Sequence, residues 1–104
     1  MNNNLPTRTV TVRNPQGLHA RPADLLVRMA SAHQSNILIG RDGELVDCKS
    51  ILSLLTLGAA QGTVLTVSAD GEDADEALAA IEELFEAGFD DTNELPGTES
   101  TLDG

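Results

Sequence analysis

Gly17-Leu18-His19-Ala20-Arg21-Pro22-Ala23 is the stretch in which an extended chain turns into a helix, and the rest of the fold is read outward from it. Gly17 allows a close approach of backbone to backbone. Pro22 falls in the first helical turn, where a missing N–H costs little. A helix is therefore predicted from Ala20 to Ser31. Its Ala23, Leu26, Val27 and Ala30 recur at i, i+3, i+4 and i+7 and form one apolar stripe. Upstream, Asn14-Pro15-Gln16-Gly17 is turn chemistry. Before the turn, Arg-Thr-Val-Thr-Val-Arg over residues 8–13 alternates, so Val10 and Val12 point to one side of a half-buried strand.

Downstream, the apolar run at residues 37–39 suits a strand, Arg41-Asp42-Gly43 a hairpin turn, and residues 44–48 the returning strand. A short helix is predicted over residues 51–57, ending near Gly58. After the Gln61-Gly62 turn comes a strand at 63–68, broken by Asp70-Gly71. A last helix covers residues 74–87, with Leu78, Ile81, Leu84 and Phe85 as its buried stripe. Asp73 followed by Glu76 has the spacing of a capping-box variant. The order β-α-β-β-α-β-α in 104 residues predicts one α+β domain of two layers, with helices on one side of an antiparallel sheet. Periodicity does not set the strand order. Residues 1–7 are expected to be a flexible N-terminus and 8–89 the folded domain. Residues 90–104, with five acids and no base, are expected to be a disordered acidic tail.

Composition excludes several function classes. Aromatics make up 2% of the chain, with no Trp and no Tyr, so stacking platforms for bases are missing. The net charge is −11, which disfavours a polyanionic partner such as DNA. The charge is unevenly spread. All six basic residues lie within the first 49 positions beside four acids, a local net of +2, whereas the remaining positions carry thirteen acids and no Lys or Arg. The amino-terminal half is thus able to hold an anion locally. The single Cys48 makes neither an internal disulfide nor a zinc site and reads as a small buried hydrophobe. The polar opening at Met1 to Pro6 is unlike a signal peptide, and no apolar run spans a bilayer. A cytoplasmic, monomeric protein without metal or cofactor, membrane insertion or nucleic-acid binding is the expectation.

The chemistry-bearing residue is His19. It precedes a helix whose first-turn N–H groups and positive dipole end form a natural phosphate cradle. Gly17, Ala20 and Pro22 shape that cradle, and Arg21 adds a planar cationic fork that pairs with phosphate oxygens. A neutral imidazole there is able to take up a phosphoryl group reversibly. The plainer alternative is that His19 is only a helix-capping residue. His33, near the end of the same helix, lacks such neighbours, and a favourable dipole interaction accounts for it.

The segment from Gly17 to Ala23 resembles the active-site signature of HPr, the histidine-containing phosphocarrier of the phosphoenolpyruvate-dependent phosphotransferase system (PTS). Two further blocks, Lys49-Ser50-Ile51-Leu52-Ser53-Leu54-Leu55-Thr56-Leu57-Gly58, and Gln61-Gly62-Thr63-Val64 followed by residues 69–74, are similar to that family in order and spacing. The resemblance covers roughly residues 8–88. It implies an open-faced sandwich, with a four-stranded antiparallel sheet ordered 1-4-2-3 and three helices on one face. It implies a phosphoryl carrier rather than an enzyme: His19 accepts phosphate at Nδ1 from Enzyme I, steadied by Arg21, and passes it to the A domain of a sugar permease or of a regulatory relay. The acidic extension is a departure from typical members.

Ser50 is placed to cap the short second helix. The resemblance adds a regulatory role, phosphorylation by HPr kinase/phosphorylase, which weakens transfer from Enzyme I. In the helix itself, Ile51, Leu52 and Leu55 share one arc while Leu54 and Leu57 lie on another. One stripe suffices for packing, so the second is either covered or exposed as a docking patch, and the resemblance favours Ile51, Leu52 and Leu55 as partner-docking residues near His19. A nitrogen-type regulatory paralogue without sugar transport remains open. So do two other classes, a small phosphate-binding hydrolase on a similar sandwich and a ligand-binding regulatory domain. The hydrolase needs a water-activating partner that the sequence does not offer.

Overall fold

A computed structural model describes residues 5–41 and 43–90 of the chain. The elements run β1 (Thr7–Thr11), α1 (Ala20–Ser31), β2 (Asn36–Arg41), β3 (Glu44–Asp47), α2 (Ile51–Leu57), β4 (Val64–Asp70) and α3 (Ala74–Glu86). The four strands form one antiparallel sheet in the order β1-β4-β2-β3. This is the expected open-faced α+β arrangement and the strand order that the resemblance implied.

Alternation decides the layering. Val10, Ile37, Ile39, Leu65, Val67 and Ala69 turn inward and are buried, together with Val12 beyond the end of β1. Threonines of β1 and Leu38 and Val64 face solvent on the other side. Register locks this pattern, since Val10 pairs with Leu65 and Ile39 with Val67 and a one-residue slip would expose every inward side chain. Against that face pack Ala23, Leu26 and Ala30 of α1, Leu54 of α2, and Ala77, Leu78, Ile81 and Phe85 of α3. Val27 and Leu84 lie at the core's margin. Truncating a fully buried leucine here, such as Leu26 or Leu54, costs about 2–5 kcal/mol.

β1 begins at Thr7, and the Pro6 carbonyl accepts a hydrogen bond from Ala69 N–H at 3.2 Å, so sheet contacts begin before the predicted residue 8. Of the segment expected to be a flexible N-terminus, residues 1–4 lie outside the described residues, as do Asp42 of the hairpin turn and residues 91–104 of the acidic tail.

At one end of the molecule α3 is tied to the loop after α1. Asp73 precedes α3 but makes no side-chain cap bond to it, so the capping-box expectation is corrected. Its carboxylate instead accepts the Gln34 amide at 2.8 Å, the Ser35 amide at 3.0 Å and the Ser35 hydroxyl at 2.5 Å. These long-range donors compete successfully with the local one. They hold the Asp73 carboxyl below its usual range, at about 2, the Ser35 hydroxyl contributing most. At the other end, Phe89 is buried and meets Phe85 edge-to-face with centroids 4.9 Å apart. Phe89 has φ +60°, a conformation that no pattern in the sequence announces. Cys48 is buried as expected, and that burial pushes its thiol up to about 12, which makes it a poor nucleophile. Among the described residues no helix is long and apolar enough to cross a membrane.

Candidate functional site

The site is built where β1 ends and α1 begins. After β1 the chain stays against β4, with Val12 N–H donating to the Thr63 carbonyl at 2.9 Å and Gly62 N–H to the Val12 carbonyl at 2.7 Å. The turn that follows is closed by Gly17 N–H donating to the Asn14 carbonyl at 3.0 Å. The Asn14 side-chain amide donates to the Gly17 carbonyl, which also accepts from His19 N–H at 2.9 Å. Gln61 Nε2 reaches the Arg13 carbonyl at 3.0 Å. Leu18 is buried, and its amide donates to the Ala59 carbonyl at 2.9 Å, which joins the loop to the segment after α2.

Gly17 is required at this position. Its φ is +74°, and a Cβ there would lie 2.5 Å from the Ala59 oxygen. Its amide is committed to the turn, so its contribution to the cradle is steric. Pro22 is buried in the first turn and, having no N–H, contributes by fixing the backbone.

His19 occupies the N-cap of α1 with extended backbone (φ −87°, ψ −168°), and its ring makes no cap hydrogen bond. The capping explanation for this histidine is therefore weakened: the position is a cap, but the imidazole is not used as one. The residue is exposed to solvent. The first i→i−4 bond of α1 is donated by Ala23 to the His19 carbonyl at 3.0 Å. The amides of the turn before it lie outside the helical ladder, where a helix attracts anions.

His19 lines two open depressions of about 370 Å³ each. The first is shared with Asn14, Pro15, Gln16 and Arg21. The second brings in Leu18, Ala20, Leu55 and Ala59. The imidazole thus sits between a polar wall holding a guanidinium and an apolar wall supplied by α2. Within α2, Leu54 is fully buried whereas Ile51, Leu52 and Leu55 are 36%, 73% and 39% exposed. The arc left over from packing faces solvent, and of its three residues Leu55 lines the second depression together with His19. Gly58, in left-handed conformation, ends α2, and Arg41 donates to the Leu57 carbonyl at 3.4 Å.

Ser50 is the N-cap of α2, its hydroxyl accepting from Ser53 N–H at 3.2 Å. Lys49 Nζ donates to the His33 carbonyl at 2.9 Å, tying the end of α1 to the start of α2. His33 Nδ1 lies 3.0 Å from the Met29 carbonyl, a local contact with the last turn of its own helix. The structure therefore brings His19, Arg21, Gly17, Ala20, Pro22 and Leu55 together at one end of the molecule. Asn14, Ala59 and Gln61 were missed as members of the scaffold. Asn14 and Gln61 carried turn signals but no sign of these bonds, whereas Ala59 carried no signal at all.

Comparison with known proteins agrees with this architecture. The family described as PTS-HPr, PTS HPr component phosphorylation site, matches residues 6–87. The chain is 45% identical over 82 residues to the phosphocarrier protein HPr of Xylella fastidiosa strain Temecula1, covering 79% of this chain and 92% of that protein. Among solved structures, HPr from Thermoanaerobacter tengcongensis superposes with a TM-score of 0.79 at 41% identity, covering 88% of this chain and all of that one. HPr from Bacillus anthracis gives a TM-score of 0.75 at 36% identity, covering 80% of this chain and 99% of that one. The chain belongs to the HPr family of PTS phosphocarrier proteins.

Proposed function

We propose that His19 is the phosphoryl acceptor of this phosphocarrier, loaded at Nδ1 by Enzyme I and unloaded onto the A domain of a sugar permease or of a regulatory relay. The observation that carries this reading is the placement of an exposed imidazole, unused as a cap, at the start of a twelve-residue helix and in one depression with Arg21. In the loading step the neutral ring nitrogen attacks phosphorus on the donor. The new N–P bond forms as the donor's bond to phosphorus breaks, and the electron pair leaves with the donor. The phosphoryl oxygens are then held by the Arg21 guanidinium and the amide of Ala20. Gly17 and Pro22 fix the backbone that presents these donors. The same groups hold the phosphoryl without activating water, which suits a carrier better than a hydrolase.

Ile51, Leu52 and Leu55 serve as the docking patch. All three are exposed, Leu55 lines the depression beside His19, and a small apolar centre suits partners that must bind and release repeatedly. Ser50 serves as the regulatory site for HPr kinase/phosphorylase. Its hydroxyl is at the edge of that patch, immediately before Ile51, and a phosphoryl group there places about two negative charges beside the docking surface. The protein acts as a cytoplasmic monomer.

Incubation with phosphoenolpyruvate and Enzyme I tests the reading. One acid-labile, base-stable phosphate per chain is expected, absent from His19→Ala. Labelling that survives this substitution, or sustained phosphate release, overturns it.

A further inference from the structure

We infer that Asn14 is a positioning residue for the transfer reaction: its side-chain amide holds the Gly17 carbonyl, so that the loop presents the His19 imidazole in one orientation. The inference rests on the assignment of His19 as phosphoryl acceptor and names the group that sets its geometry.

The first argument is the bonding around Gly17. Asn14 brackets this glycine twice, its carbonyl accepting Gly17 N–H at 3.0 Å and its Nδ2 donating to the Gly17 carbonyl. That carbonyl also accepts His19 N–H at 2.9 Å. One oxygen thus stands between the Asn14 side chain and the His19 backbone, and both of its lone pairs are used. Leu18, between Gly17 and His19, is tied through its amide to the Ala59 carbonyl. The peptide planes leading into His19 are therefore fixed from two directions, and with them the Cα–Cβ bond from which the ring projects.

The second argument is what Asn14 costs. Its Oδ1 is buried, and among the described residues nothing donates to it. A buried acceptor without a donor weakens a fold. Losing the whole side chain would not strand the Gly17 carbonyl, because His19 N–H still donates to it. For stability alone a smaller or apolar side chain serves as well here. A polar mismatch kept beside a functional group is the pattern of a residue retained for what it positions.

Location is the third. Asn14 lines the first depression together with His19 and Arg21. A carbonyl oxygen turned into that depression would repel the phosphoryl group, whose oxygens are negatively charged. Bonding to Asn14 Nδ2 holds the negative end of the Gly17 carbonyl within the loop.

The experiment compares Asn14→Ala and Asn14→Asp with the unaltered chain as substrates of Enzyme I charged by phosphoenolpyruvate. Ser35→Ala is the control, removing a hydroxyl bond to Asp73 beyond the far end of α1. Both Asn14 variants are expected to lower kcat roughly tenfold or more, since misplaced reacting groups lose rate steeply. KM, which reports docking, is expected to stay within about twofold. Asn14→Asp keeps the shape but, as a carboxylate, offers no donor, so its loss assigns the effect to the N–H. The His19 amide proton is expected to shift and to exchange faster in both variants. Asn14→Ala is expected to move Tm by less than about 4 °C, and Ser35→Ala to lower Tm with kcat unchanged. Unchanged kcat in the folded Asn14 variants, transfer lost through KM alone, or an equal loss of kcat in Ser35→Ala overturns the proposal. His19→Ala is run alongside. Label that survives it refutes the site assignment, whereas label lost there with unaltered kcat in the Asn14 variants refutes the positioning role alone.

Discussion

The Ala59 carbonyl oxygen accepts the Leu18 amide at 2.9 Å and lies 2.5 Å from where a Cβ on Gly17 would be. Two residues more than forty positions apart thus set the height of the His19 loop over the second depression. Gly17→Ala combines a backbone clash with a left-handed φ, a cost of about 2–4 kcal/mol. Thermal unfolding is expected to show a Tm lower by roughly 10 °C or more. At a temperature where the variant remains folded, phosphoryl transfer from Enzyme I is expected to be slower, because the imidazole is displaced from its donors.

The exposed arc of α2 separates docking from folding. Leu52 is 73% exposed, so Leu52→Asp is expected to change stability by no more than about 0.5 kcal/mol. If the arc docks Enzyme I, the KM for transfer rises about tenfold, equivalent to about 1.4 kcal/mol of lost binding. Leu38→Ser, on the open face of the sheet, is expected to leave transfer kinetics unchanged.

Ser50 has a structural and a proposed regulatory role, and one substitution reads both. Ser50→Ala removes the bond to Ser53 N–H and is expected to cost about 1 kcal/mol in urea unfolding. The acid-stable phosphate expected after treatment with HPr kinase and ATP is absent from this variant. No acid-stable modification of the unaltered protein by that kinase counts against regulation at Ser50.

Asp73 makes stability depend on acid. Its folded value of about 2 is below the ordinary carboxylate value of 3.8, so the unfolded chain binds the proton more tightly. The stabilisation is complete above the ordinary value and is lost as pH falls through about 2. Asp73→Asn is expected to lower the urea midpoint at pH 7 and to flatten the decline between pH 4 and pH 2. An identical acid limb in both proteins contradicts this account.

Local order was largely legible in the sequence. The Val10/Val12 alternation, the stripe of α1 and the turn glycines are periodic or sterically special, and each marks an element directly. The strand order was reached only through the family resemblance, because β1–β4 and β2–β4 pairing joins residues far apart in the chain. Asp73 shows why local reading stops there. Its spacing to Glu76 suggests a capping box, yet donors nearly forty residues away take its oxygens. Of the site, His19 and Arg21 were visible as a motif. Ala59 acts through a carbonyl that no pattern distinguishes, and Gln61, legible as a turn residue, gave no sign of its side-chain bond to the distant Arg13 carbonyl.

The most direct test of the central claim is ³¹P–¹⁵N NMR of the protein labelled with ¹⁵N-histidine and phosphorylated through Enzyme I. One phosphorus resonance coupled to Nδ1 of His19 is the predicted result, with His33 unmodified. Coupling to a nitrogen of His33, or a phosphate on any other residue while His19 stays bare, contradicts the account.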